Sequence, residues 1–245
     1  MKALILAAGY ATRLYPLTKE YPKPLLKVGR KLLIDYIVDK LEALEACDEI
    51  IVVTNSKFIS FFRRWAKKLK IKKRLTLVDD LTKGLNDRRG AIGDTYFAVK
   101  KIKIRDGLLI IGGDNLFDSR LDKFLEFSTA KVNAPVIGAY DIKNRRKADK
   151  YGVIRMNREK RIIDFKEKPA KPQSSLIAMC LYYFPADKIG LIGEYMRKSK
   201  KHDATGFYID WLRRKEPVYG FVFGGRWYDI GDPKVYNEAQ KRFRN

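Results

Sequence analysis

Apolar residues in the first third of the chain alternate between short continuous runs and runs at helical spacing. The continuous runs 3–8 and 49–54 are typical of strands buried on both faces. Residues 32–44 and 58–69 instead repeat apolar side chains every three or four positions, as amphipathic helices do. With a further strand at 74–78, this alternation predicts an α/β fold of the Rossmann-like, doubly wound type, in which helices cover both faces of a mostly parallel mixed sheet.

The rest of the chain continues this alternation after a polar interruption. Residues 79–89 are polar and contain glycine, which predicts a loop at the carboxyl ends of the strands, before a helix that opens at Gly90. A predicted hairpin turns at 157–160, and Asp232 is placed to cap the last helix. Strands are predicted at 107–113, 134–140, 151–156, 161–165, 175–184 and 218–223, and helices at 90–101, 207–214 and 233–243.

Length and composition limit the classes to which this protein can belong. The 245 residues, 46% of them hydrophobic, suit one globular domain with a full core. No apolar run approaches the roughly 20 residues that a membrane span needs, and the run at 2–8 is too short for a signal peptide. We therefore expect a cytoplasmic protein without a membrane partner. Cys47 and Cys180 lie far apart without a C-x-x-C spacing, which predicts neither a zinc site nor a disulfide.

The formal net charge of +23 makes nucleic acid a rival partner. The basic residues crowd several separate segments, chiefly 63–74, 143–150 and 197–201, without a helix-turn-helix, zinc-finger or RNA-binding signature. Runs of charge are usually solvated, and a generally basic surface attracts any anion without defining a site. The charge alone therefore does not favour nucleic acid over a nucleotide.

The loop after the first strand carries candidate phosphate chemistry. Gly9 lets the backbone turn and approach a ligand, while Arg13 and Lys23 supply two positive charges within the same loop. Three prolines restrict this loop and lower the entropy cost of ordering it. It matches neither the G-x-x-x-x-G-K-[ST] nor the G-x-G-x-x-G phosphate motif. The residues predict a polyphosphate site of another kind.

A second candidate for chemistry is the acid at the end of the strand GLLIIGG. Asp114 and Asn115 follow two glycines that clear space at the strand tip. A carboxylate buried there is costly unless it meets a cation, and Mg²⁺ usually binds through one or two carboxylates together with substrate phosphates. We therefore predict that Asp114 is a Mg²⁺ ligand, the alternative being a cap of the next helix.

Two segments of the first loop read GYATRLYPLT at 9–18 and PKPLL at 22–26. They resemble the signature of the sugar-1-phosphate nucleotidylyltransferases, roughly G-x-G-T-R-L-x-P-L-T and then P-K-P-L-L, with Ala11 where the family usually has glycine. Y-G-V at 151–153, E-K-P at 167–169 and W-Y-D-I-G at 227–231 extend the likeness over nearly the whole chain. The resemblance is to a glucose-1-phosphate thymidylyltransferase or uridylyltransferase, in the short form without a C-terminal left-handed β-helix.

The resemblance implies a role for each matched residue. Residues 1–130 would mainly bind the nucleotide and residues 131–245 mainly the sugar phosphate, within one domain. The implied catalytic residues are Arg13, Lys23 and Asp114, and Asp229 joins Asp114 as a ligand of Mg²⁺. The implied contacts to the sugar phosphate are Gly152, Glu167 and Lys168. The implied nucleotide-binding residues are Ala8, Gly9, Tyr10, Ala11, Thr12, Arg13, Asn86 and Gly90.

Two departures from the family pattern leave the substrates open. The glutamine that usually reads the base is missing, and Asn86 offers the same donor and acceptor on a shorter arm. Cys180 stands where the family has a glycine near the sugar pocket.

The resemblance predicts nucleotidylyl transfer from dTTP or UTP to glucose 1-phosphate, with release of pyrophosphate. Transfer of a cytidylyl or other group to a non-sugar phosphate such as phosphocholine is the alternative that Cys180 favours. A nucleic-acid-binding role would rest on charge alone, and homo-oligomerisation is left open.

Overall fold

The computed structural model describes residues 1–243, which contain a nine-stranded mixed sheet. The strands of this part of the chain are β1 (Lys2–Leu6), β2 (Lys27–Val28), β3 (Lys31–Leu32), β4 (Glu49–Thr54), β5 (Arg74–Asp79), β6 (Leu108–Gly112), β7 (Asn115–Phe117), β8 (Val136–Asp141), β9 (Gly152–Met156), β10 (Ile162–Glu167), β11 (Leu176–Phe184), β12 (Tyr219–Phe223) and β13 (Trp227–Asp229). The helices are α1 (Leu33–Glu42), α2 (Ile59–Ala66), α3 (Ala91–Ile102), α4 (Asp122–Ala130), α5 (Gly190–Lys198), α6 (Thr205–Lys215) and α7 (Pro233–Arg242).

The centre of the sheet is parallel. Strands β6, β1, β4 and β5 lie side by side in that order, with Lys2 opposite both Glu49 and Leu108. The long strand β11 runs antiparallel to β6 and joins this core to β9, β10 and β8, and β12 pairs with β8 in parallel. The predicted mostly parallel mixed sheet and the hairpin of β9 and β10 are thereby confirmed. The division into one domain with two functional parts stays a prediction.

Side-chain alternation along the central strands builds a core on each face of the sheet. Ile5, Val52 and Ile111 point to one face and pack with α1, α2 and α4. Leu4 and Val53 point to the other face and pack with α3, α5 and α6. Strands buried on both sides must be apolar at every position, which is why these segments read as continuous hydrophobic runs.

Several short elements were not predicted. Strand β7 begins directly after Asp114, and it pairs with β13, so that Asn115 lies opposite Asp229. A three-residue strand has no periodicity to detect, and its partner lies more than a hundred residues further on. Helices α4 and α5 were missed as well, and each buries only two side chains. Within residues 1–243, none of the helices is both long and apolar enough to cross a membrane.

The last helix begins as predicted. The side chain of Asp232 accepts a hydrogen bond from the backbone N–H of Val235 at 2.9 Å, and Pro233 occupies the first turn. Helix α7 then holds the turn between β2 and β3, because Gln240 Oε1 accepts from the backbone N–H of Gly29 at 3.0 Å and Tyr236 donates to the carbonyl of Lys27 at 2.8 Å. The cap therefore ties the end of the chain to the loop that carries Lys23.

We predict that Asp232→Ala lowers the free energy of unfolding by about 1 kcal/mol, because a helix N–H loses its acceptor. Asp232→Asn is the matched control and should stay within a few tenths of a kcal/mol of the wild type, since asparagine caps as well as aspartate. Urea unfolding measures both variants. Equal stability of the alanine variant and the wild type would show that the cap contributes nothing.

Candidate functional site

Two adjoining cavities open at the carboxyl ends of the central strands. The first, of about 380 Å³, is lined by the loop after β1, the segment before α3 and the start of α3. The second, of about 180 Å³, is lined by β9, the end of β10, β11 and β13. Asp114 and Cys180 line both cavities and mark their junction. Two neighbouring compartments with a shared acid suit two substrates that meet at one point.

The structure brings most of the predicted site residues to these cavities. The first cavity is lined by Ala8, Gly9, Tyr10, Ala11, Thr12, Gly90 and Asp114. The second is lined by Asp114, Gly152, Glu167, Lys168 and Asp229. Arg13, Lys23 and Asn86 line neither of them. Asn86 is exposed, in a loop that is folded onto itself because Asp87 accepts from the backbone N–H groups of Lys83 and Gly84. A base contact from Asn86 stays a prediction.

Asp114 has a partner that its sequence neighbours do not show. Lys23 donates from Nζ to Asp114 Oδ2 at 2.7 Å, across 91 residues of chain. Burial by itself would raise the pKa of Asp114, but the charge and hydrogen bond of Lys23 lower it below the usual value. The cation that neutralises Asp114 is therefore distant along the chain and adjacent in space.

Asp229 faces the same junction without such a partner. Burial, followed by the negative charge of Asp114, raises the pKa of Asp229 to about 6, while Lys23 and Arg13 oppose the shift. Within residues 1–243, no cluster of three or more histidine, cysteine or acidic side chains is arranged to hold a metal. The two carboxylates therefore form a pair in which one acid is neutralised and the other is short of positive charge.

Arg13 lies beside this pair. It sits in the 3₁₀ turn Thr12–Leu14, which follows Ala11 at φ 49°, and Thr18 Oγ1 holds that turn by donating to the Ala11 carbonyl at 2.8 Å. Alanine thus adopts the left-handed conformation that the family's glycine adopts without strain. The exposed guanidinium packs over Gly231, two residues after Asp229, and its charge acts on both acids. Arg13 can reach an anion held at the junction.

The wall of the second cavity is built around Glu167. A Cβ atom at Gly206 would lie 1.8 Å from Glu167 Oε2, so only glycine lets α6 approach this carboxylate. Burial raises the pKa of Glu167, and the charge of Lys168 opposes the shift. Trp227 donates from Nε1 to Asn115 Oδ1 at 2.7 Å, which fixes the side of the cavity next to Asp229. The wall therefore presents the Glu167 carboxyl group as an acceptor, the Lys168 cation and the aromatic ring of Trp227.

Cys180 stands at the junction as a neutral thiol. Burial, then the charges of Asp114 and Asp229, raise its pKa to about 12. Because the thiolate is the nucleophilic form of cysteine, this side chain cannot serve as a nucleophile near neutral pH. Its effect on the site is to fill space where the two cavities meet.

Sequence reasoning missed the acids of the first cavity. Asp80 is 1% exposed and follows β5, and Asp94 is 7% exposed in the first turn of α3. Both line the cavity next to Arg89. The sequence held a signal for Asp94, because this acid lies on the buried face of α3 with Ile92, Thr95 and Ala98. Acidic side chains are rarely buried without a partner.

Comparisons with known proteins identify the family. A family model described as nucleotidyl transferase matches residues 2–245. The bifunctional protein GlmU of Methanocaldococcus jannaschii is 30% identical over 246 residues, which cover 98% of this chain and 54% of the relative. A mannose-1-phosphate guanyltransferase of Pichia angusta is 28% identical over 243 residues, which cover 96% of this chain and 62% of the relative. The chain thus spans about half to three-fifths of the length of these curated relatives.

A solved structure supports the fold. A UDP-glucose pyrophosphorylase complexed with UDP-glucose superposes with a TM-score of 0.82 at 23% identity, over 99% of this chain and 97% of that protein. Because the family model matches nearly every residue, the resemblance seen in the sequence is confirmed, and the chain belongs to the nucleotidyl transferase family.

Proposed function

We propose that this protein transfers a nucleotidyl group from a nucleoside triphosphate to a sugar 1-phosphate, which yields a nucleoside-diphosphate sugar and pyrophosphate. The observation that carries the proposal is the junction of the two cavities, where Asp114 and Asp229 stand with Lys23 and Arg13. A triphosphate in the first cavity and a sugar phosphate in the second would meet at these charges. UTP or dTTP and glucose 1-phosphate are the proposed substrates.

The chemistry requires positioning and charge neutralisation more than covalent catalysis. A phosphate oxygen of the sugar phosphate attacks the α-phosphorus of the nucleotide in line, and the bond to the departing pyrophosphate breaks. Arg13 would neutralise the pyrophosphate as its charge develops, while Lys23 and Lys168 hold the reacting phosphates together. The neutral thiol of Cys180 fits this scheme, which needs no nucleophilic side chain.

The acid pair fits a Mg²⁺ ion. Both ligands would be carboxylate oxygens. Burial, and then the negative charge of Asp114, raise the pKa of Asp229, and a cation would relieve the repulsion between the two acids. Mg²⁺ needs few protein ligands when substrate phosphates complete its coordination, so two acids are enough. When bound, the ion would supply positive charge to the phosphates.

A second candidate acceptor is a non-sugar phosphate such as phosphocholine. It is favoured by Cys180, whose side chain takes up room at the junction where the family has a glycine. A smaller acceptor would need less space at the junction than a sugar phosphate. The transferred group could then be cytidylyl or another nucleotidyl group.

We predict that pyrophosphate release is fastest with UTP or dTTP together with glucose 1-phosphate. The assay is a grid of UTP, dTTP, CTP, GTP and ATP against glucose 1-phosphate, mannose 1-phosphate and phosphocholine. Release with phosphocholine but with neither sugar phosphate would replace the sugar proposal by its alternative. A clear preference for GTP or ATP would contradict the proposed base.

We predict that Arg13→Ala lowers kcat on the order of a hundredfold while the fold persists, because a charge aimed at a leaving group acts mainly in the transition state. Arg30→Ala is the matched control, since Arg30 is an exposed arginine of the neighbouring turn, away from both cavities. Steady-state kinetics and circular dichroism measure the two variants. An unchanged kcat in Arg13→Ala would remove the proposed role.

We predict that Asp114→Asn and Asp229→Asn each cause a steep loss of activity and a higher Mg²⁺ requirement. The double variant should lose less activity than the two single losses added together. Their thermal stabilities without metal should differ. Asp229→Asn should raise Tm because it removes a repulsion, whereas Asp114→Asn should lower Tm because Lys23 loses its partner. Fully additive activity losses, or stability shifts of the same sign, would argue against a shared ion.

A further inference from the structure

Two buried acids at the floor of the first cavity differ in how their oxygens are satisfied. Asp80 Oδ1 accepts hydrogen bonds from the backbone N–H and the hydroxyl of Thr82, both at 2.7 Å. Its backbone is also tied down, because its carbonyl accepts from Arg89 Nε at 2.7 Å and its N–H donates to Thr54 at 2.8 Å. Oδ1 of Asp80 therefore finds two hydrogen-bond donors within the protein.

Asp94 is the opposite case. Among residues 1–243, its Oδ1 is buried and has no hydrogen-bond partner, and the same holds for the hydroxyl of Tyr10, a residue that lines the same cavity. Buried polar atoms without partners are rare and costly. Neither atom has a role in the fold or in the charge arrangement around Asp114. Because both residues line the first cavity, a ligand there that supplies an N–H group to one and an acceptor to the other would satisfy both.

The surroundings of Asp94 keep its carboxyl group neutral near pH 7. Burial, then the charge of Asp80 and a hydrogen bond to it, raise the pKa of Asp94 to about 8, and Arg89 opposes the shift. Tyr10 faces the acid from the loop after β1. At the mouth of the cavity, Asp203 is exposed and pairs with Arg88 at 3.4 Å. Asp94 is therefore a buried acid that favours its neutral form near pH 7.

We propose that Asp94 and Tyr10 read the nucleotide base, with Asp94 accepting a ring N–H and Tyr10 donating to the adjacent ring carbonyl. This inference rests on the proposed function, since it assigns the base end of the same nucleotide site. Asp94 and Tyr10 together would supply the acceptor and the donor that the missing glutamine would have supplied. Uracil, thymine and guanine present a ring N–H beside a carbonyl, whereas cytosine and adenine present the reverse pattern.

The neutral state of Asp94 matters for this reading. An ionised carboxylate has no proton to share with Asp80, and its charge would face the carbonyl oxygens that flank the ring N–H of uracil. Affinity for UTP should therefore fall as Asp94 ionises. Asparagine has the same shape and an amide oxygen that accepts the ring N–H, and it does not ionise in this range.

The test is the dissociation constant of UTP between pH 7 and pH 9, measured by isothermal titration calorimetry. From pH 7 to pH 9 a group with a pKa of about 8 changes from about nine-tenths to about one-tenth neutral, so the wild-type Kd should rise about tenfold relative to that of Asp94→Asn at the same pH. Taking the ratio to Asp94→Asn removes the titration of UTP itself. Asp203→Asn, which removes a nearby exposed carboxylate, should keep the pH dependence of the wild type.

Tyr10→Phe tests the second contact without introducing a charge. It should weaken UTP binding and leave CTP binding nearly unchanged, because only UTP presents the carbonyl to the hydroxyl. Thermal unfolding at each pH shows that the variants are folded. Asp94→Asn should unfold at a higher temperature than the wild type, by a margin that grows from pH 5 to pH 9, since an acid with a raised native pKa loses stability as pH rises towards that pKa.

Binding does not depend on turnover, so the two proposals fail separately. If UTP binds with the expected pH dependence but no acceptor releases pyrophosphate, the proposed function is wrong and the assignment of Asp94 stands. If the enzyme turns over but the wild type and Asp94→Asn show the same pH dependence of UTP binding, or Tyr10→Phe weakens UTP and CTP equally, the assignment is wrong. Absence of both UTP and dTTP binding at pH 7 would overturn the assignment of Asp94 and the proposed base, whereas transfer from another nucleoside triphosphate is decided by the substrate grid.

Discussion

The arrangement of the site depends on the cost of placing two carboxylates side by side at the end of a sheet. Asp114 and Asp229 reach the same junction because β7 and β13 pair there, and burial penalises the charge of both. Lys23 offsets this cost for Asp114 through a direct ion pair, and Arg13 acts on both acids from the rim. The unequal neutralisation leaves Asp229 in need of positive charge, which is the condition under which an ion bound with phosphates is stabilising.

The two ends of the loop after β1 have different roles. Its first part lines the first cavity with backbone and small side chains, and its last part delivers Lys23 to Asp114. Helix α7 holds the turn that follows this loop, through hydrogen bonds to Gly29 and Lys27. Helix α7 therefore packs on the turn beside this loop, although it lines neither cavity.

The two cavities control charge in different ways. In the second, Glu167 is enclosed by β9 and α6 and stands next to the cation of Lys168. In the first, Asp94 is enclosed next to another acid, Asp80, so the pair retains a proton. Burial raises the pKa of both acids, but the charge of Lys168 opposes the shift at Glu167, whereas the charge of Asp80 adds to the shift at Asp94.

The sequence by itself determined the alternation of strands and helices up to α3, the cap of α7, and the family, because periodicity, capping and contiguous motifs are local properties of a chain. The partners of the acids were decided only by the tertiary structure. Lys23 meets Asp114 across 91 residues, Trp227 meets Asn115 across 112, and Asp94 meets Asp80 between a helix and the end of a strand. Such contacts depend on which segments the sheet brings together, and the pKa values that follow from them depend on burial, which no local pattern of residues specifies.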